Sequence, residues 1–146
     1  MKKMALLLGL FLSCAWGMQA QSYQLQFGDS VPEVARAVLQ PRFAQMLEAG
    51  GLVLLPADDA ASPDAVVVPL RVDAVVTSRM ETPGSMSQTA LTIDLTVSRD
   101  SGDPVSETFS LKGVGSTEDD AWLRAVKQLL PRSKTAMDFV ARLAER

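Results

Sequence analysis

A two-layer α+β domain, with helices on one face of a mostly antiparallel sheet of about five strands, is the fold class this sequence predicts. Three observations carry it. The stretch "TALTIDLTVS", residues 89–98, alternates apolar and polar residues without a break, so one sheet face is apolar and the other polar. The C-terminal part carries apolar residues at helical spacing. Taken along the chain, the segments read in the order β-α-β-β-β-β-α-α.

Each element has its own signal. "SYQLQF" alternates, with Tyr23, Leu25 and Phe27 on one face, and reads as the first strand. Gly28-Asp29 turns the chain. Ser30 and Glu33 then have the S-x-x-E spacing of a capping box, with Pro32 in the first helical turn. Val31, Val34, Ala35 and Val38 form the expected buried stripe of that helix, and Phe43, Met46 and Leu47 continue an apolar stripe beyond Pro41. Pro41 predicts a kink or a restart, and Gly50-Gly51 a stop. "LVLLP" is a short buried strand, followed by the polar loop "ADDAASPDA". "VVVPLRVDAVVTS" is a long strand with Val66, Val68, Leu70 and Val72 on one face. Pro69 falls on the other face and predicts an edge or a bulge. After the turn "TPGSMS" comes the alternating strand, with Leu91, Ile93, Leu95 and Val97 inward. Following "RDSGDP", Val105, Phe109 and Leu111 share the inner face of the last strand. Trp122, Ala125, Val126, Leu129 and Leu130 then form one helical stripe, broken by Pro131. Ala136, Phe139, Val140, Leu143 and Ala144 form another.

The N-terminus predicts export. Met1, Lys2 and Lys3 precede an apolar run from Met4 to Leu12, too short for a membrane anchor and of the length of a secretory signal. Cleavage after Ala20 makes residues 1–20 the signal peptide and 21–146 a single domain; cleavage after Gly17 is the alternative. Phe11-Leu12-Ser13-Cys14 supports a rival reading as a lipoprotein signal. Apolar Ala15-Trp16-Gly17-Met18 then stands where a polar tether is usual. Membrane attachment is expected only if Cys14 is lipidated. Without residues 1–20 the domain has no Cys, so its core rather than disulfides must hold it. It has 12 basic and 17 acidic residues, a net charge of −5. An acidic chain without a basic patch argues against nucleic acid and against anionic membranes.

The segment "SLKGVGSTEDDAWLRAVKQLL", residues 110–130, most resembles a site, because glycines between a strand and a helix can cradle a phosphate. Its chemistry points elsewhere. The third glycine of G-x-G-x-x-G is Glu118, and no P-loop lysine follows. Glu118, Asp119 and Asp120 occupy the first helical turn, where they favour the helix dipole and would repel phosphate. Thr117 with Asp120 resembles a capping box. Gly113 and Gly115 read as residues that let the chain leave the strand with unusual backbone angles. Trp122 reads as core, with an interface anchor as the sharper alternative.

Catalytic signals are sparse. There is no His, hence no His base or metal ligand, and no S-x-x-K. Asp58, Asp59 and Asp64 lack the spacing of a calcium loop. The polar sheet face offers a docking hypothesis instead. Arg71, Asp73, Thr92, Asp94, Thr96, Thr108, Ser110 and Lys112 are expected to point away from the helices, as a solvated face with cross-strand pairs or as a docking surface.

The run Lys112 to Glu118, followed by Ala121, Ala125, Gln128 and Pro131 and later Phe139-Val140, resembles a pattern in small exported proteins of Bacteroidota. More distantly, the element order is similar to periplasmic domains of the curli-secretion lipoprotein type and of lipoproteins that activate penicillin-binding proteins. These resemblances imply binding or assembly rather than catalysis, and they carry no catalytic residue over. The expected protein is therefore a non-enzymatic cell-envelope component, periplasmic or secreted, without a cofactor, and with another envelope protein as partner. An outer-membrane lipoprotein is the alternative location. A small-ligand or glycan-binding module and a carboxylate-dependent hydrolase are the alternative functions.

Overall fold

The structure, a computed structural model, describes residues 22–55, 67–84, 86–101 and 104–145. The elements are β1 (Ser22–Phe27), α1 (Glu33–Ala49), β2 (Val53–Leu55), β3 (Val67–Thr82), β4 (Gln88–Arg99), β5 (Val105–Gly115), α2 (Glu118–Val126) and α3 (Lys134–Ala144). The expected α+β class and element order are both present. The strands form one sheet in the order β2-β1-β3-β4-β5. Its connections explain its mixed character. A helix joins β1 to β2, which pair in parallel, whereas β3, β4 and β5 follow one another and pair antiparallel. β1 also pairs in parallel with β3, so it lies between β2 and β3.

The alternation seen in the sequence becomes the core. Leu91, Ile93, Leu95 and Val97 of β4, with Leu70 and Val72 of β3 and Phe109 and Leu111 of β5, are buried on the helix side. Each such side chain contributes about 1.5–3 kcal/mol by leaving water. The helices supply Leu39, Phe43, Met46, Trp122, Ala125, Phe139 and Leu143.

Helix α1 departs from expectation at its start. The helix begins at Glu33 with Pro32 as N-cap, and no side chain caps it. The hydroxyl of Ser30 is used elsewhere: its Oγ accepts the N–H of Ala74 at 3.0 Å. β1 ends opposite Val72, and Ser30 continues the ladder where the strand has stopped. The capping box of Ser30 and Glu33 is therefore not formed. The buried stripe is Ala35, Leu39, Phe43, Met46 and Leu47, with Val34 and Val38 only partly buried at its flank. The helix also runs through Pro41 without a restart. Pro41 lies on the exposed side, where the N–H it lacks leaves no buried acceptor stranded. The stop at the two glycines is a Schellman arrangement. Leu52 N–H reaches the Leu47 carbonyl at 2.9 Å, Gly51 N–H reaches Glu48 at 3.0 Å, and Gly51 has φ +76°.

Pro69 has β1 on one side, while the β4 register begins only at Arg71, so β3 is locally an edge there. The irregularity in β3 comes later, between Val76 and Ser78. Leu130, expected in the α2 stripe, is 61% exposed. The helix has ended at Val126, ahead of Pro131, and the helical spacing no longer applies. Ala144 is likewise exposed at the end of α3. Segment 1–20 with Cys14, and the loop holding Asp58, Asp59 and Asp64, lie outside the described residues.

Candidate functional site

The register assembles the polar face from three strands. Asp73, Thr96 and Thr108 stand in one row across β3, β4 and β5. Asp94 stands beside Ser110, and Thr92 beside Lys112. Because side chains alternate along a strand, these residues share the face opposite the core. Arg71 Nε donates to Asp73 Oδ2 at 2.7 Å, two residues along the same strand. The hydroxyls of Thr96 and Thr108 are 3.0 Å apart and share a hydrogen bond. Thr108, Ser110 and Lys112 are exposed; Thr92, Asp94 and Thr96 are half-buried between neighbouring strands. An exposed pair such as Arg71–Asp73 contributes at most about 1 kcal/mol. It sets the orientation of Asp73, which also packs against Gly28, where a Cβ would clash with its carboxylate.

The face is not wholly polar. Val75 lies in the row of Asp94 and Ser110, and Met80 in the row of Ala90 and Val114. Val75, Met80 and Val114 are 62, 68 and 45% exposed. Val75 and Val114 keep the outward phase of their strands, whereas Met80 faces out because the irregularity at Val76–Ser78 shifts the alternation. Before it the even residues of β3 point inward; after it Arg79 faces inward beside Leu91, and Met80 faces out. The Val75-Val76 doublet is the signal in the sequence. Arg79 then reaches Glu118 on α2 as an ion pair.

The glycine segment is built differently from its expectation. Gly113 and Gly115 lie inside β5, in register with Leu91 and Thr89, and neither has positive φ. Their role is close approach. A Cβ on Gly113 would clash with the Ala121 carbonyl and stand 2.5 Å from Ala125 N. One on Gly115 would stand 2.6 Å from both Ala121 N and Asp120 Oδ2. The backbone of α2 thus lies directly on β5. At its start, Thr117 Oγ1 accepts the Asp120 N–H, and Asp120 Oδ2 accepts the Ser116 N–H, both at 3.1 Å. Asp120 also contacts Arg124 at 3.4 Å. These groups fill the helix N-terminus, the place a phosphate would take. Trp122 is 3% exposed, within the core.

Two other arginines hold the frame. Arg36 donates to the carbonyls of Val31 and Gly28 and lies over the Phe27 ring, fixing the β1–α1 turn. Arg99 is 8% exposed and donates to the Leu143 carbonyl at the end of α3, which also accepts from Tyr23 Oη. A cation there complements the negative end of the helix dipole. Its inward direction was legible, since it falls two residues after Val97 in the alternation.

Two concavities lie on the helix layer, away from the open face. One of about 630 Å³ runs between α1 and the α2–α3 connection, lined by Gln45, Glu48 and Leu130. A smaller apolar one of about 220 Å³ lies between Met46 and Met137. Among the described residues, no three of His, Cys, Asp and Glu stand together as metal ligands would, and no helix is long and apolar enough to cross a membrane.

No protein-family model matches the chain, and no curated protein matches it in sequence. Among solved structures it is similar to a minor lipoprotein from Acinetobacter baumannii, with 13% identity over 86% of this chain and 88% of that one and a TM-score of 0.41. It is also similar to a hypothetical protein from Chlamydia trachomatis, with 13% identity over 86% of this chain and 96% of that one and a TM-score of 0.31. At that overlap, neither likeness informs function.

Proposed function

We propose that this chain is an exported, non-enzymatic cell-envelope protein, periplasmic or secreted, whose open sheet face docks another envelope protein. The observation that supports this is the character of that face. Among the described residues it carries no helix, and it mixes hydroxyls, one oriented carboxylate and Lys112 with exposed Val75, Met80 and Val114. Apolar side chains with a polar surround are what protein interfaces use. The export signal at residues 1–20 supplies the location in this reading.

The test is site-specific photocrosslinking in the native envelope. A photoreactive residue at Thr96 or Thr108 is expected to give one discrete adduct; the same residue at exposed Met137, on the helix layer, is expected to give none. The captured protein, once purified, should bind the wild type and bind Thr96→Arg at least about tenfold more weakly. Equal binding by both would overturn the assignment of this face.

A further inference from the structure

β5 is the last strand of the sheet, eleven residues long, with β4 on one side only. The phase of its free edge can be read from one contact. Arg142 Nη1 donates to the Ser106 carbonyl, so the backbone of Ser106 faces outward. In an antiparallel strand, residues alternate between bonding their partner and bonding away from it. Thr108, Ser110, Lys112 and Val114 therefore turn both N–H and C=O toward the open edge. Arg142 covers only the first of these outward positions.

A groove of about 210 Å³ runs beside that edge, between Thr108–Leu111 and the α2–α3 connection at Gln128–Leu130, Ser133 and Thr135. Its wall includes the exposed Leu130. The charge around it is distinctive. Most described cations engage a carboxylate or a backbone carbonyl, as Arg36, Arg42, Arg71, Arg79, Arg99, Arg124 and Arg142 do. Lys112, Lys127, Arg132 and Lys134 make no ion pair or side-chain hydrogen bond among the described residues. Lys112 lies on β5 itself, and the other three lie within or beside the connection that forms the groove wall. In a chain of net charge −3, the described cations without such a partner all lie on β5 or at this connection.

We propose that the free edge of β5 takes up an extended acidic peptide of another protein as a sixth strand. Main-chain bonds to Thr108, Ser110 and Lys112 hold it. Peptide side chains on the helix side meet Leu130 and the cations Lys127, Arg132 and Lys134 of the α2–α3 connection, and those on the other side meet Lys112. The site borders the open face, sharing Thr108, Ser110 and Lys112 with it, but it takes its ligand at the backbone edge of β5 rather than on the side chains of the face.

The test uses a synthetic peptide of about ten residues alternating valine with aspartate, and a control alternating valine with lysine. The aspartate peptide is expected to slow hydrogen exchange at the amides of Thr108, Ser110 and Lys112. The lysine peptide should bind at least about tenfold more weakly. Ser110→Pro removes one outward N–H and leaves the β4 ladder intact; it should weaken binding about tenfold or more. Should that variant fail to fold, Lys112→Glu with Lys127→Glu, both exposed, should give the same loss at an unchanged melting temperature. Equal binding of the two peptides, protection on β2 or on the open face instead, or no binding at millimolar peptide would each overturn the proposal. Dimers that protect the same amides without peptide would overturn it in favour of a second copy.

Discussion

Gly113 has no room for a methyl group. Its Cα stands against the α2 backbone at Ala121 and Ala125, neither of which can move without shifting the helix. Gly113→Ala should therefore cost about 3 kcal/mol, near the upper end for overpacking, seen as a large loss of denaturant midpoint. If the glycine served backbone freedom alone, alanine in this extended segment would cost little. Ser30 gives a second test at the same scale. Ser30→Ala removes the acceptor of the half-buried Ala74 N–H and should cost about 1–2 kcal/mol, with faster exchange of the Ala74 amide. Glu33→Ala should stay within about 0.5 kcal/mol. A capping box would make the two comparable and would put the exchange change in the first turn of α1. Both residues were visible in the sequence as signals, but their partners were not. The partner of Ser30 lies 44 residues away on β3, and that of Gly113 on a helix whose approach depends on packing.

Within the elements, legibility followed how much of the pattern was set by the element itself. β4 and α3 bury the residues their own periodicities pick out, apart from the terminal Ala144, because each presents one uninterrupted face to the core. α2 was legible only to Val126. Its stripe was expected through Leu130; the helix ends at Val126, Leu129 is still buried, and Leu130 turns outward. In α1, where Pro41 predicted a kink or a restart, the helix does not restart. Pro41 sits on the exposed side, so the core-facing contacts of Leu39 and Phe43 carry the helix across it. Restoring the missing N–H by Pro41→Ala should stabilise the protein by about 1–3 kcal/mol, with a rise in melting temperature. A fall would mean that packing of α1 needs the bend proline imposes. At the start of α2, Asp120 accepts from Ser116 and contacts Arg124, whereas Asp119 does neither. Asp120→Ala should cost about 1–2 kcal/mol and Asp119→Ala about 0.5 kcal/mol or less; equal costs would reduce both to the helix dipole alone.

For the whole molecule, the two ends of the described chain are tied together. β1 lies inside the sheet rather than at its edge, and Tyr23 on β1 reaches the Leu143 carbonyl on α3, 120 residues away. Arg99 reaches the same carbonyl from the end of β4. The sequence showed each apolar face but not this closure, because insertion of β1 between β2 and β3 is set by pairing among distant strands. The closure makes α3 part of the only hydrophobic core described, rather than an appendage. Phe139, Val140 and Leu143 are each 3% exposed or less. At about 2 kcal/mol for each large side chain, their burial is comparable with the 5–15 kcal/mol that about measures the stability of a whole domain. A chain stopped after Ser133 would uncover the parts of β5 and α1 that α3 covers and take the Leu143 carbonyl away from the buried guanidinium of Arg99. That truncation should lose the near-ultraviolet signal of Trp122 and bind a hydrophobic dye, while keeping much of its far-ultraviolet signal. A sharp, cooperative melt in the truncated chain would show that the sheet, α1 and α2 hold themselves together, and that α3 only rests against them.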